Sequence, residues 1–349
     1  MDLRGMYLEE LKELASKMGE PPYRGQQIFI WIHRRLALAV EEMTDLPLAF
    51  RDQLSSSHPL PPLKILESST SALDNTLKLL LELPDGEKVE CVLMEQGGRR
   101  TACLSSQAGC PLGCRFCATG QGGFRRNLTA GEMILQAVAL LRKAREGDPK
   151  ASLTNIVFMG MGEPLLNLEQ VLRACRLFQH PKGWNISHRK ITISTCGLVP
   201  QIIKLAEEKP PLELAVSLHA TTDDIRSELM PINRQYPLKD VLEACRYYAR
   251  VTGRRVTLEY ALIKGVNDSR KDARRLGRLL KGMLAFVNLI PLNPVSGIPY
   301  QGVGEEKAKT FARWLTQEGI EVAVRRSRGR DIEAACGQLR ARRERGEKY

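Results

Sequence analysis

The order of apolar and polar positions changes character twice along the chain. Over residues 1–60 it has a helical period: "YLEELKELASKMG" and "YRGQQIFIWIHRRLA" place apolar residues three and four apart, with Pro21-Pro22 between them. Between residues 62 and 106 the period falls to two. "LKILE", "TLKLLLEL" and "KVECVLME" read as strands, and "PDG" between the last two is a hairpin signal. After that, strand-like and helix-like runs alternate. The strands are expected at 102–106, 155–160, 190–195, 213–219, 255–262 and 286–292. A helical pattern follows each; "TAGEMILQAVALLRKARE" opens with the capping box Thr129–Glu132.

Six such units predict a parallel sheet covered by helices and joined right-handedly. They are too few for an eight-stranded barrel and enough for an open one. The expected class is α/β: a partial (β/α)6 TIM-like barrel over 101–349, with a small helical domain over 1–60 and a β-rich connector over 61–100. Two helices carry echoing segments, "VLRAC" (171–175) and "VLEAC" (241–245), read as shared core packing and not as a repeat. In barrels of this kind chemistry gathers at the C-terminal ends of the strands.

Composition adds a partner and a compartment. No apolar run approaches the roughly 20 residues of a membrane span, and the first residues lack a secretory signal, so a cytoplasmic protein is expected. Nine cysteines in a reducing compartment favour metal or redox chemistry over disulfides. The net charge of +12 favours a polyanion. That excess is uneven: residues 1–52 hold 7 Lys/Arg against 9 Asp/Glu, and 320–349 hold 9 against 5. A basic tail can equally be a solvated face.

The sharpest chemical signal is "GCPLGCRFC", which spaces Cys110, Cys114 and Cys117 as C-x3-C-x2-C. The spacing would suit one helix face, but Pro111 and Gly113 oppose a helix, so a loop after the first barrel strand is expected. A buried cysteine cluster is the bland alternative. Zinc would want four ligands, or three and a water, and no nearby Cys or His supplies an obvious fourth. A 4Fe–4S cluster suits thiolates equally well and would leave one iron open to a small molecule.

On these residues the chain resembles the radical S-adenosylmethionine (SAM) superfamily, in which SAM chelates the fourth iron. Further stretches, in order, resemble the RlmN/Cfr RNA methyltransferases: "VECV" (89–92), "CLSSQAGC" (103–110), "FMGMGEPLLN" (158–167), "STCG" (194–197), "SLHA" (217–220), "LIPLNP" (289–294) and "RGRDIEAACGQL" (328–339). The resemblance implies one 4Fe–4S cluster on Cys110, Cys114 and Cys117, and two SAM molecules per turnover. One SAM would methylate Cys336. Cleavage of the other would yield a radical that activates this S-methyl group for addition to adenine. Cys103 would then attack Cys336 and release the product through a disulfide. Such a route suits carbon 2 of adenine, which is a poor nucleophile.

The residues by themselves support these roles unevenly. Arg325, Arg326, Arg328 and Arg330 precede Cys336 and favour its thiolate, while Asp331 and Glu333 oppose them. Small buried core residues are the bland reading of both Cys336 and Cys103, and Cys91, Cys175, Cys196 and Cys245 are left as core. Alternation puts Glu90 on the face of Val92 and Met94, where a carboxyl should have a raised pKa. That suits a general base, the role the resemblance implies; an edge-strand Glu reaching water is the alternative.

For SAM, the resemblance implies Gly162 and Glu163 after the second barrel strand, Ser194 at the third, Ser217, Leu218 and His219 at the fourth, and Asn293 at the sixth. His219 alone would read as a structural histidine. Tyr23, Arg24, Trp31, His33, Arg34 and Arg35 could form an aromatic–basic patch, and Arg125 and Arg126 lie near the cluster loop.

The implied partners are protein-poor 23S rRNA, tRNA and a flavodoxin- or ferredoxin-type reductant, with no membrane and a monomeric state. Three other readings stay open: methylation at carbon 8 of the same rRNA adenine, a radical activase or mutase, and a non-catalytic zinc or iron–sulfur nucleic-acid-binding module.

Overall fold

A computed structural model describes residues 2–341, so the basic residues Arg342, Arg343, Arg345 and Lys348 lie outside the described part. The amphipathic N-terminal segments form α1 (Leu8–Lys17) and α2 (Tyr23–His33), and a third helix, α3 (Leu48–Ser57), follows. The first two cross closely at Gly25, where a Cβ would stand 2.4 Å from the Leu11 backbone.

The alternating segments form β1 (Lys64–Thr70), β2 (Leu77–Glu82), β3 (Lys88–Gln96) and β4 (Arg99–Cys103), paired antiparallel in sequence order. The "PDG" turn joins β2 to β3, with Gly86 at φ 85° and its N–H donating to Leu83 O.

The strand expected over 102–106 lies earlier, at Arg99–Cys103. Past Cys103 the chain leaves the ladder because Ser105 is taken by a side chain: Gln136 accepts from its N–H (2.8 Å) and donates to its carbonyl (3.0 Å). A short hairpin, β5 (Gln107–Gly109) with β6 (Phe124–Asn127), then brackets the cysteine loop and the one-turn helix α4 (Ala118–Gln121).

The barrel alternates as the periodicity predicts. Helix α5 (Ala130–Gly147) leads to β7 (Asn155–Phe158), α6 (Leu168–Gln179) to β8 (Ile191–Thr195), and α7 (Val199–Glu208) to β9 (Glu213–Ser217). Then α8 (Asp223–Leu229) and α9 (Leu238–Thr252) precede β10 (Val256–Leu262), and α10 (Arg270–Leu280) precedes β11 (Ala285–Pro291). Last, α11 (Glu305–Gln317) leads to β12 (Val322–Val324), a further parallel strand that the sequence reading did not include.

Strands β4, β7, β8, β9, β10 and β11 pair parallel as six successive neighbours. The segment 61–100 is joined to them: one ten-stranded sheet runs β1-β2-β3-β4-β7-β8-β9-β10-β11-β12, open at both ends. The capping box forms, with Thr129 Oγ1 accepting from Glu132 N–H and Glu132 accepting from Thr129 N–H. Val171, Leu172, Ala174 and Cys175 on α6, and Val241, Leu242, Ala244 and Cys245 on α9, are all buried, so the echoed segments are core-facing stripes. No described helix is long and apolar enough to cross a membrane.

Candidate active site

The chemistry-bearing residues gather at the C-terminal ends of the parallel strands, around two adjoining cavities. The upper one, about 160 Å³, is lined by Cys110, Cys114 and Cys117 together with Gly162, Glu163, Ser194, Ser217, His219, Asn293 and Cys336. The lower one, about 630 Å³, lies in the barrel lumen and is lined by Val92, Met94, Cys103, Glu259, Asn288 and Arg325, again with Asn293 and Cys336. Cys336 therefore borders both.

The cysteine loop is irregular, as Pro111 and Gly113 require, with Gly113 at φ 63°. Burial pushes the Cys110 thiol up to about 12 and raises that of Cys117. Thiols so desolvated ionise when a bound cationic centre compensates the charge. No three His, Cys, Asp or Glu side chains among the described residues converge as a site for one metal ion. A 4Fe–4S cluster makes no such demand, because each thiolate binds a different iron. An all-thiol set on one cavity wall fits that group.

Cys196, expected as core, belongs here: its sulfur is 4.0 Å from Cys114 Sγ, and it lines the upper cavity. Being the residue after β8, it is delivered to the strand end; "STCG" placed it among the motifs, but its apolar character masked the position.

Gly162 sits at φ 101°, and a Cβ there would stand 2.6 Å from Gln107 Cβ, so only glycine fits. Glu163 is buried; it accepts from Leu165 N–H (3.0 Å) and Cys196 N–H (2.7 Å), while burial raises its pKa. A carboxylate has about four lone-pair positions, so it can still accept from an ammonium in the cavity.

Arg226, absent from the sequence reading, ties this wall together by donating to the carbonyls of Cys196 (2.7 Å), Ser217 (3.2 Å) and Leu218 (3.3 Å). A single arginine in "TTDDIRSELM" carries no pattern that would have revealed it.

The Ser217–Leu218–His219 run divides. Ser217 and His219 face the cavity, but Leu218 does not line it; its side chain is fully buried in the core. His219 has φ 57°, and its Nδ1 accepts from Ala261 N–H (3.0 Å), which sets the proton on Nε2. Burial pushes its pKa down to about 3, so it is a neutral, positioned ring, edge-on to Phe116. Asn293 donates to the Cys336 carbonyl (3.2 Å).

In the lumen, Cys103 and Cys336 are free thiols on one cavity wall. Burial, with the nearby Cys336, pushes the Cys103 thiol up to about 12, against the opposing field of Arg325. The Cys336 sulfur, ahead of Glu259 and Cys103, holds the Arg325 guanidinium above its ordinary value despite burial.

Glu90 lies on an interior strand and is only 5% exposed, which removes the edge-strand alternative. Its carboxylate pairs with Lys78 Nζ (3.1 Å) from β2 and accepts the Arg340 N–H (2.5 Å) from the C-terminal segment. Burial, offset by Lys78, raises its pKa to about 7. Glu90 lines neither cavity, and the backbone of the segment bearing Arg340 lies against its carboxylate. That segment is also fastened to the cysteine loop, with Ala118 N–H donating to Gly337 O and Thr119 Oγ1 to Leu339 O.

Four of the expected RNA-contact residues are otherwise engaged. His33 is buried, its pKa lowered to about 3, and it accepts from Trp184 Nε1 (3.2 Å), so it is a core residue and not part of a surface patch. In the same patch Asp45 accepts from Trp31 (2.5 Å) and pairs with Arg35 (3.5 Å), which removes much of its positive field. Arg126 is held by Asp85 and Glu132; Arg125 remains exposed.

Comparison with known proteins bears on this arrangement. The model described as the radical SAM superfamily matches residues 104–277, and that of the ribosomal RNA large subunit methyltransferase N-terminal domain matches 1–59. A "probable dual-specificity RNA methyltransferase RlmN" of Moorella thermoacetica is 60% identical over 97% of both chains. Another of that name, from Heliobacterium modesticaldum, is 50% identical over 97% of this chain and 89% of its own. The chain belongs to the RlmN family. The crystal structure of a radical SAM methyltransferase from Sphaerobacter thermophilus superposes with a TM-score of 0.94 at 49% identity, covering 98% of this chain and 100% of that one. The protein is thus a radical SAM methyltransferase of the RlmN family, and superfamily membership carries the use of a 4Fe–4S cluster and SAM.

Proposed function

We propose that the protein methylates carbon 2 of an adenine in 23S rRNA and in tRNA through S-methylated Cys336. The observation that carries this is the position of Cys336 between the cysteine-triad cavity and the lumen that contains Cys103. One sulfur can thereby face the methyl source on one side and its partner thiol on the other.

Cys110, Cys114 and Cys117 hold the cluster in this reading. Glu163, Gly162, Ser194, Ser217, His219 and Asn293 hold SAM, Leu218 contributing backbone only. Cluster and SAM together supply reductive cleavage of SAM, chemistry no side chain provides. The chain's own residues carry, orient and release. Cys336 bears the methyl group. Asn293 fixes its backbone, and Arg325 supplies positive charge beside both catalytic sulfurs. Glu90 accepts the proton lost from the adenine carbon. Cys103, as the thiolate, then forms a bond to Cys336 Sγ as that sulfur's bond to the transferred carbon breaks. The bonding pair leaves with the carbon, which takes up a proton to become the methyl group, and the resulting disulfide is returned to thiols by reductant.

Since the C-terminal segment lies against Glu90, substrate entry must lift Arg340 from the carboxylate. In the same reading residues 1–60 are an RNA-contacting accessory domain, 61–100 a connector built into the sheet and 101–349 the catalytic unit. The enzyme acts as a cytoplasmic monomer, reduced by a flavodoxin- or ferredoxin-type donor.

The test is anaerobic incubation of reconstituted enzyme, SAM and reductant with rRNA-loop and tRNA transcripts, read by nucleoside mass spectrometry. We expect 2-methyladenosine in both transcripts. 8-Methyladenosine would replace this reading with the alternative regiochemistry, and SAM cleavage without RNA methylation would remove the substrate assignment.

A further inference from the structure

Helix α10 carries a charge pattern unlike its neighbours. Arg270, Lys271, Arg274, Arg278 and the following Lys281 are exposed, and Arg275 is half-buried. None of these six has an ion-pair partner among the described residues. The single acid of the helix, Asp272, is turned inward. It caps the helix by accepting from Ser269 N–H (3.1 Å) and receives Thr221 Oγ1 (3.2 Å). Glu318, whose side chain lies over Gly277, pairs with none of the six.

Other exposed helices mix their signs. Lys12–Glu9 on α1, Lys204–Glu208 on α7, Lys239–Glu243 on α9 and Lys309–Glu305 on α11 are ion pairs three or four residues apart. On α10 the corresponding neighbours, Arg270–Arg274, Arg274–Arg278 and Lys271–Arg275, are like charges, which oppose helix formation. Arg270 and Lys271 also occupy the first turn, where the helix dipole disfavours cations. A face meant only for solubility has no need of either penalty.

We infer that the exposed face of α10 is a docking surface for the phosphate backbone of the RNA substrate, outside the catalytic cavities. This rests on the RNA-methylation reading and extends it. The ridge is about 16 Å long at 1.5 Å per residue. It starts where the loop after β10 meets the site, since Ile263 packs in one apolar cluster with Cys114 and Leu292. A polyanion leading away from the strand ends would run along it.

Phosphate tracking requires only cations, whereas a protein interface is anchored by buried aromatic or aliphatic side chains. The exposed positions of α10 offer none. The ridge also accounts for positive charge that the acidic N-terminal domain, with Asp45 neutralising its aromatic patch, does not supply.

The test compares wild type with Arg270→Ala/Arg274→Ala/Arg278→Ala, and with Lys309→Ala on α11 as a control, in full-length reconstituted enzyme. All replaced side chains are exposed, so thermal unfolding checks that the fold is kept. Affinity for whole tRNA and for an rRNA-loop transcript is measured against salt concentration. The triple variant should bind each RNA about ten-fold or more weakly near 0.1 M salt, with the slope of log affinity against log salt shallower by about 2. Its KM for RNA should rise while kcat at saturating RNA is unchanged, and Lys309→Ala should behave as wild type.

Unchanged affinity and slope would overturn the inference. So would a rise only in the KM for a reduced flavodoxin-type donor, which would make the ridge a protein dock. If the variant loses RNA affinity but the wild type makes no methyladenosine, the ridge stands and the reaction assignment fails.

Discussion

Glu90 is a buried carboxyl engaged by both Lys78 Nζ and the Arg340 N–H. Its place on the face of Val92 and Met94 followed from alternation, and with it the raised pKa. Its partner did not. Lys78 stands on β2 diagonal to Glu90, because Leu80 pairs with Glu90 and Lys78 with Val92; that relation exists only once the register is known. The groups around the carboxylate are Lys78 from β2, Glu67 from β1 and Arg340 from the C-terminal segment.

If Glu90 is the base, methylation should rise with pH through about 7, as the carboxylate forms. Lys78→Met removes the lowering field and should move that acidic limb upward, on the order of one pH unit, while Lys78→Arg keeps it in place. A limb unmoved in Lys78→Met would show that the ion pair is only structural. Glu90→Gln should lose about 10²–10⁴-fold in rate, with SAM affinity retained in equilibrium binding. Near wild-type methylation by that variant would remove Glu90 as the base.

At the scale of elements, the six strand–helix units and the cysteine loop were legible because hydrophobic period and glycine–proline chemistry act locally. The short strand β12 was not, since three residues leave almost no period. Nor was the early end of β4, which depends on Gln136 reaching Ser105 from 31 residues away. Gln136 is fully buried and satisfies two backbone groups at the point where the chain turns into the site. Gln136→Leu would leave the Ser105 N–H and C=O unpaired at a cost of about 2–4 kcal/mol. Urea unfolding should show a lower midpoint with an unchanged m-value. Stability equal to wild type would mean that Ser105 finds other partners.

At the scale of the whole molecule, β1–β3 continue the barrel sheet instead of hanging beside it, so the strand that bears Glu90 is fixed relative to β4 and Cys103. The return of the C-terminal segment to that sheet could not be read from local pattern. It rests on two contacts spanning most of the chain, Ser71 Oγ donating to Asp331 (2.7 Å) and Gly329 N–H to Asp74 (3.1 Å), and on a shorter-range one, Gln338 Nε2 to the Pro294 carbonyl (2.7 Å). These contacts set Cys336 between the two cavities.

In the proposed reaction Cys336 carries the methyl group to RNA. This role is tested most directly by incubating reconstituted enzyme anaerobically with methyl-deuterated SAM, then mapping the label by peptide and nucleoside mass spectrometry in wild type and Cys336→Ala. Wild type should show labelled Cys336 and labelled 2-methyladenosine, and the variant no labelled nucleoside. Labelled RNA from Cys336→Ala, or a wild-type label on any other residue, would contradict that role.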